Sequence, residues 1–241
     1  MLLRYLPGRL LHRRQPLSRS KRDLVGYGLR VRVTGTHETT CLELRPSPPT
    51  GRVDREFASI DDELLWFVAE HARTRVFVHA GAVGVDGGAV LIPGRTRSGK
   101  SSLVAALVRA GATYYSDEYA LIDRRGRVHP FARPLSLRPY DGSAVIEVSA
   151  DELGGATGSK PLPVRAIVIT RYEPTATWRA RTRPSGQGAL ALIDNAVAAR
   201  SHSARVLGAA TAAASGAVVY ESARGDADET AARLLRKLSV G

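Results

Sequence analysis

The stretch that decides the fold is Ala89-Val90-Leu91-Ile92-Pro93-Gly94-Arg95-Thr96-Arg97-Ser98-Gly99-Lys100-Ser101-Ser102, which runs on into Leu103-Val104-Ala105-Ala106-Leu107-Val108-Arg109-Ala110-Gly111. A short apolar run enters a loop of the form G-x-x-x-x-G-K-S. A helical run leaves it, with Leu103, Ala106, Leu107 and Ala110 on one face and Gly111 placed to stop it. Strand, loop and helix are the context that a phosphate-binding loop requires. Its glycines let backbone N–H groups turn inward around phosphate oxygens, and the helix N-terminus adds partial positive charge. Lys100 supplies a cation for the β- and γ-phosphates, and Ser101 a hydroxyl that can ligate Mg²⁺. Gly94, Arg95, Thr96, Arg97, Ser98, Gly99, Lys100, Ser101 and Ser102 are therefore the candidate nucleotide-binding residues. The motif does not say whether the phosphoryl group goes to water or to an acceptor.

Upstream, Asp86-Gly87-Gly88 reads as a tight turn joining Ala82-Val83-Gly84-Val85 to the strand that enters the loop. Val76-Phe77-Val78-His79 is a further strand pattern. Before it, Ser59 and Asp62 make a helix start, and Leu64, Leu65, Phe67, Val68 and His71 form one stripe. Leu29 to Val33 and Cys41 to Leu44 alternate apolar and polar as half-buried strands do. Arg45 to Gly51 holds three prolines, which lack donors for a sheet, and so is a loop. Three regions are expected: a basic arm over 1–25, a small β-rich attachment and helix over 26–74, and a phosphate-loop domain over 75–241.

Composition limits the alternatives. The chain has 241 residues, 44% of them hydrophobic and 24% charged, which suits a globular protein with its own core. The one cysteine, Cys41, excludes an internal disulfide and sits in a strand pattern as a small hydrophobe. No apolar run is long enough for a membrane helix. The formal net charge is +12, and residues 1–35 carry nine Lys/Arg against the single acid Asp23. Such an arm meets nucleic acid, an anionic surface or an acidic peptide, or is simply solvated. Arg4, Arg9, Arg13 and Arg14 interrupt its apolar runs, which argues against a secretory leader and for a cytoplasmic protein.

A phosphate-loop enzyme needs a carboxylate to hold metal or activate a nucleophile. Asp117-Glu118 follows a short aromatic strand, Tyr114-Tyr115-Ser116, just after the phosphate-loop helix. One member can take or orient a hydroxyl proton while the other holds metal. Asp123 ends Ala120-Leu121-Ile122 and is followed by Arg124-Arg125-Gly126-Arg127, so it reads as a hairpin-turn residue instead.

The run from Val76 to Arg138 resembles the catalytic domain of HPr kinase/phosphorylase. The likeness rests on His79-Ala80-Gly81-Ala82-Val83, Gly94 to Ser101 and Ser116-Asp117-Glu118. Pro130-Phe131-Ala132-Arg133-Pro134-Leu135-Ser136-Leu137 looks like the corresponding run of smaller relatives, some of which accompany peptide-modification gene clusters. The resemblance implies an α/β phosphate-loop core similar to phosphoenolpyruvate carboxykinase, with a mixed, partly antiparallel sheet. It implies Asp117 as base toward a serine hydroxyl, with Lys100, Ser101 and His79 as site residues and ATP with Mg²⁺ as cofactors. Glu118 with Ser101 is the candidate metal pair. The bifunctional enzymes carry two aspartates where this chain has Asp117-Glu118, which argues against reverse phosphorolysis and against HPr itself as acceptor.

Further on, Gly154 to Pro161 is a glycine-rich basic loop that either closes over substrate or serves as a surface connection. Ala189 to Arg200 reads as a helix with Leu190, Ile193 and Val197 inward, and Asn195 and Arg200 lie on its polar side. Ala217-Val218-Val219-Tyr220 is a buried strand, and Asp226 to Glu229 caps a final helix. The expected function is an ATP-dependent kinase acting on a hydroxyl of a peptide or protein, with an acidic acceptor suited to the basic arm. A small-molecule kinase, and a nucleotide sensor without transfer, are the alternatives. A nucleic-acid-dependent NTPase ranks last, because no aromatic residues interleave the charge. Homo-oligomerisation is left open.

Overall fold

A computed structural model describes residues 29–35, 40–46, 60–94, 98–138 and 144–239. The basic arm and loop residues Arg95, Thr96 and Arg97 lie outside the described residues. The chain divides into two compact units, Met1–Arg73 and Thr74–Gly241. In the first, β1 (Leu29–Gly35) and β2 (Thr40–Pro46) form an antiparallel pair, and α1 spans Ile60–His71.

The second unit is built on a mixed sheet. Its strands are β3 (Val76–Val85), β4 (Gly88–Pro93), β5 (Thr113–Ser116), β6 (Tyr119–Ile122), β7 (Val128–His129), β10 (Val164–Tyr172), β11 (Arg181–Arg183) and β12 (Val218–Arg224). They run in the order β11-β12-β10-β4-β3-β6-β7, with β5 also on β3. β4, β10 and β12 are parallel, and the remaining pairings are antiparallel. A separate pair, β8 (Leu135–Leu137) with β9 (Ile146–Val148), is antiparallel. β3 forms one strand where the sequence pattern suggested two pieces. Asp86 (φ 47°) and Gly87 (φ 76°) both take positive φ between β3 and β4, the geometry of a type I′ hairpin turn.

Helices cover both faces. One face carries α2 (Lys100–Arg109) and α5 (Ala227–Ser239), and its core joins Val83, Val90, Ile92, Val168 and Tyr220 to Leu103, Leu107, Leu234 and Leu238. The opposite face carries α3 (Ser185–Asp194) and α4 (Ser203–Ser215), where Leu91, Ile167 and Val219 meet Leu192, Val206, Ala209 and Ala213. α5 has its buried residues three and four apart at Ala227, Thr230, Ala231, Leu234 and Leu238. Each fully buried leucine contributes about 2 kcal/mol of transfer free energy. Asp226 caps this helix, accepting the Glu229 N–H at 2.8 Å.

One helix departs from the expectation. α3 begins at Ser185 and ends at Asp194, so Val197 and Arg200 lie beyond it. Leu190 faces solvent at 59% exposure, while Gly188 and Leu192 turn inward. Gly188 lies against Val219 and Ile167, and this close approach sets the helix phase. The glycine-rich loop after 154 is a strut against β5. The Tyr114 N–H donates to the Ala156 carbonyl, the Gly158 N–H donates to the Tyr114 carbonyl, and the Tyr115 hydroxyl donates to the Lys160 carbonyl.

Candidate functional site

β4 delivers the chain to the Gly94–Ser101 segment at the carboxyl end of the parallel strands, the edge where open α/β sheets bind ligands. The loop is tied down at its start by the Gly94 N–H, which donates to the His79 carbonyl at 3.1 Å. A Cβ on Gly94 would come within 2.6 Å of Ser98 Oγ, so Gly94 and Ser98 lie close together. Gly99 closes the loop at φ 83°, in the left-handed region, and caps α2 without a side-chain hydrogen bond. Lys100, Ser101 and Ser102 form the first turn of α2 and are half-buried.

Asp117 and Glu118 interrupt a line of pairing along β3. Ser116 sits opposite Ala82 and Tyr119 opposite His79, with an irregularity in the pairing beside Ala82. The Ser116 hydroxyl donates to the Tyr119 carbonyl at 2.7 Å and closes the turn. The Ala80 N–H donates to the Glu118 carbonyl at 3.3 Å. Such interruptions re-aim side chains next to active sites. Here they aim Asp117 at the start of α2. Gly81, opposite the interruption, has no side chain, and a Cβ there would lie 2.4 Å from Val104 Cγ2. The glycine therefore lets α2 seat against β3 and carries Lys100 and Ser101 to the carboxylate.

Asp117 is 7% exposed. Burial pushes its carboxyl above the usual range, against the pull of a Ser101 hydroxyl hydrogen bond, the Lys100 charge and a hydrogen bond from the Ser136 backbone. Its Oδ1 has no hydrogen-bond partner among the described residues. A buried carboxylate oxygen without a donor carries a desolvation cost that a ligand can relieve. Burial lowers the Lys100 ammonium, with the charges of Asp117 and then Glu118 opposing it. Glu118 is the exposed member of the pair, and its Oε2 lies 3.6 Å from Arg133 Nη1. Among the described residues no cluster of three His, Cys, Asp or Glu side chains forms a metal cage. A metal shared between Ser101, a carboxylate and phosphate oxygens needs no such cage. The desolvated ammonium, the hydroxyl and the orphaned carboxylate oxygen fit a magnesium-bound nucleotide triphosphate.

The His79 ring is tilted 40° against Tyr119, with ring centres 4.4 Å apart. Its main chain is doubly used, accepting from Gly94 and donating to the Asn195 carbonyl at 2.8 Å. Asn195 thus reaches the site's border through its backbone, while its side chain caps α3 by donating to Ala191. Asp123 stands apart at the tip of the β6–β7 hairpin. Its Oδ1 accepts the backbone N–H groups of Arg125 and Arg127, and its Oδ2 accepts from the Arg127 and His129 side chains.

Two residues that no local pattern marks also border the loop. Arg224, at the end of β12, is 1% exposed and donates through Nη1 to the Gly225 carbonyl and through Nη2 to the Gly99 carbonyl. Its guanidinium lies 5.3 Å from the centre of the Tyr172 ring, at the end of β10. A charged residue ending a buried parallel strand is the available signal, but the apolar pattern of that strand ends at Tyr220.

No family model matches the chain, and no curated protein matches it. Among solved structures, the Hpr(Ser) kinase/phosphatase of Coxiella burnetii is similar at 18% identity and a TM-score of 0.33. That alignment covers 68% of this chain and 99% of the other.

Proposed function

We propose that this chain is an ATP-dependent phosphotransferase that passes the γ-phosphoryl group to a serine hydroxyl of a peptide or protein. The observation that carries this reading is the buried Asp117 Oδ1, without a partner among the described residues, beside Lys100 and Ser101 at the start of α2. Bound Mg·ATP would supply the transferable phosphoryl group and the metal charge. The backbone of Gly94 to Ser102 would surround the phosphates, and Lys100 would offset the charge that develops on them. Ser101 and Glu118 would hold the metal. Asp117 would orient the acceptor hydroxyl and take its proton at Oδ1. Its raised pKa suits it to that role, since a base works best when its pKa lies nearer the working pH. His79 would hold the loop entrance.

The test incubates the full chain with γ-labelled ATP and synthetic serine peptides. Label on the peptide, lost in Lys100→Ala, is the expected result. ATP binding with no transfer to any hydroxyl acceptor would sink the phosphotransferase reading and leave a nucleotide sensor.

A further inference from the structure

Beyond the phosphate loop, the sheet carries a second built surface. Trp178 and Ala180 turn toward the core beneath α2 and α5. The intervening Arg179, and then Arg181 and Arg183, line the opposite face, so the arginines recur with the period of an extended strand. They border a cleft of about 410 Å³ completed by Arg171, Ile169 and Glu221. Cross-strand pairing explains the convergence. Ile169, Glu221 and Arg181 stand abreast on β10, β12 and β11, and Arg171 stands beside Ala223 in the next row. The Arg179 N–H donates to Ser222 Oγ at 2.9 Å, which pins that residue along β12.

Two of the four cations are satisfied. Arg183 pairs with Glu221 at 2.6 Å, and Arg171 pairs with Glu173. Arg179 and Arg181 make no ion pair among the described residues, and the cleft therefore carries two surplus positive charges. No aromatic ring lines it, so it has no platform for stacking bases. Glu221 within the cleft also works against a run of phosphodiesters. Guanidinium groups match carboxylates in a planar fork. Arginines at alternate positions match carboxylates at alternate positions of an extended chain, whose side chains recur at the same spacing of about 7 Å.

The cleft also adjoins the loop. Arg171 faces it and Tyr172 faces Gly99, and likewise Ala223 faces it while Arg224 holds Gly99. The two surfaces are one residue apart on the same two strands.

We propose that this cleft docks an extended acidic segment of the peptide acceptor, with carboxylates at positions i and i+2 meeting Arg179 and Arg181. This rests on the peptide-acceptor reading above. The test uses the full chain without nucleotide and a labelled peptide, Gly-Glu-Ala-Glu-Gly-Ser, followed by fluorescence anisotropy. Arg179→Glu with Arg181→Glu should weaken binding at least about tenfold. Arg124→Glu with Arg125→Glu makes the same charge change at the β6–β7 tip and should not. A peptide of the same composition with adjacent glutamates should bind several-fold more weakly. ATP binding retained by the cleft variant shows that its fold is intact. Equal losses in both charge-reversal pairs, or none in either, would overturn the proposal. So would loss of oligothymidylate binding in the cleft variant with peptide binding unchanged. Peptide binding that depends on the cleft, with no transfer by the parent protein, would sink the phosphotransferase reading and leave the cleft standing. Transfer to a neutral serine peptide, with no acidic-peptide binding, would do the reverse.

Discussion

Arg224 donates a hydrogen bond of 2.5 Å to the carbonyl oxygen of Gly99, 125 residues earlier in the chain. The contact braces the Gly99 end of the Gly94–Ser101 segment as His79 braces its start. Arg224→Met keeps most of the volume and removes the donors to Gly99 and Gly225. Hydrogen bonds from a charged donor are each worth about 1.5–3 kcal/mol. Urea unfolding should show a loss of about 3 kcal/mol, and calorimetry should show weaker ATP binding. Unchanged ATP affinity would mean that the loop holds its shape without this residue.

Asp117→Asn should separate catalysis from stability. Transfer should fall by ~10²–10⁴-fold, the usual contribution of a general base. The folded carboxyl titrates above its unfolded value. Its contribution to stability is therefore present below the unfolded pKa of about 3.9 and lost as pH rises through the folded one. At neutral pH the parent bears that loss and the variant does not. The variant should melt at or above the parent's temperature while ATP binding persists. A parent rate that does not climb with pH on the acidic side would remove Asp117 from the role of base.

Asp123→Asn should do the opposite. Burial alone would raise this carboxyl, but hydrogen bonds from His129, from the Arg127 and Arg125 backbones and from the Arg127 side chain outweigh it and hold the pKa at about 2. A depressed folded pKa contributes stability above the unfolded value, and that contribution fades as pH falls from about 4 toward 2. The variant should lose about 2 kcal/mol at neutral pH and keep its transfer rate once folded. Arg75 Nη2 faces His129 Nδ1 at 3.3 Å, so Nδ1 accepts and the proton sits on Nε2, toward Asp123. Burial and the Arg75 charge push this imidazole down, with Asp123 opposing. A lowered imidazole pKa also makes stability rise with pH as unfolded histidine deprotonates. A stability profile flat between pH 2 and 7 would contradict both assignments.

Gly81→Ala should push α2 off β3. The new Cβ would meet Val104 Cγ2 at 2.4 Å. Overpacking of this kind costs about 1–3 kcal/mol. Adding Val104→Ala should recover ATP binding and transfer, though the missing methyl groups limit recovery of stability. Failure of the double variant to regain transfer would show that seating of α2 is not what brings Lys100 and Ser101 to Asp117.

Much of the candidate site is legible because its parts are close in sequence. Fourteen consecutive residues, Ala89 to Ser102, carry a strand end, two glycines, a cation and a hydroxyl. The positive-φ turn at Asp86-Gly87 and the hairpin at Asp123 are equally local. Arg224 and Tyr172 were not legible, because their meeting with Gly99 depends on parallel pairing of β10 with β12 across about fifty residues. Parallel partners leave no turn signal between them. Leu190 faces solvent against its sequence pattern for a related reason: α3 is phased by Gly188 against Val219, a contact on another strand. The alternation from Trp178 to Arg183 was present in the sequence, but a three-residue strand with polar residues outward looks like any loop.

The brace from Arg224 to Gly99 also bears on the order of events during synthesis. A nascent chain that has reached Gly216 already contains the whole Gly94–Ser101 segment, the helix after it and Asp117, yet lacks β12 and the guanidinium that holds Gly99. Domains emerge from the amino end first, so through most of elongation the loop has its His79 anchor without the Arg224 brace. The Gly99 end of the loop therefore gains its brace only once β12 has slotted between β10 and β11, second from that edge of the sheet.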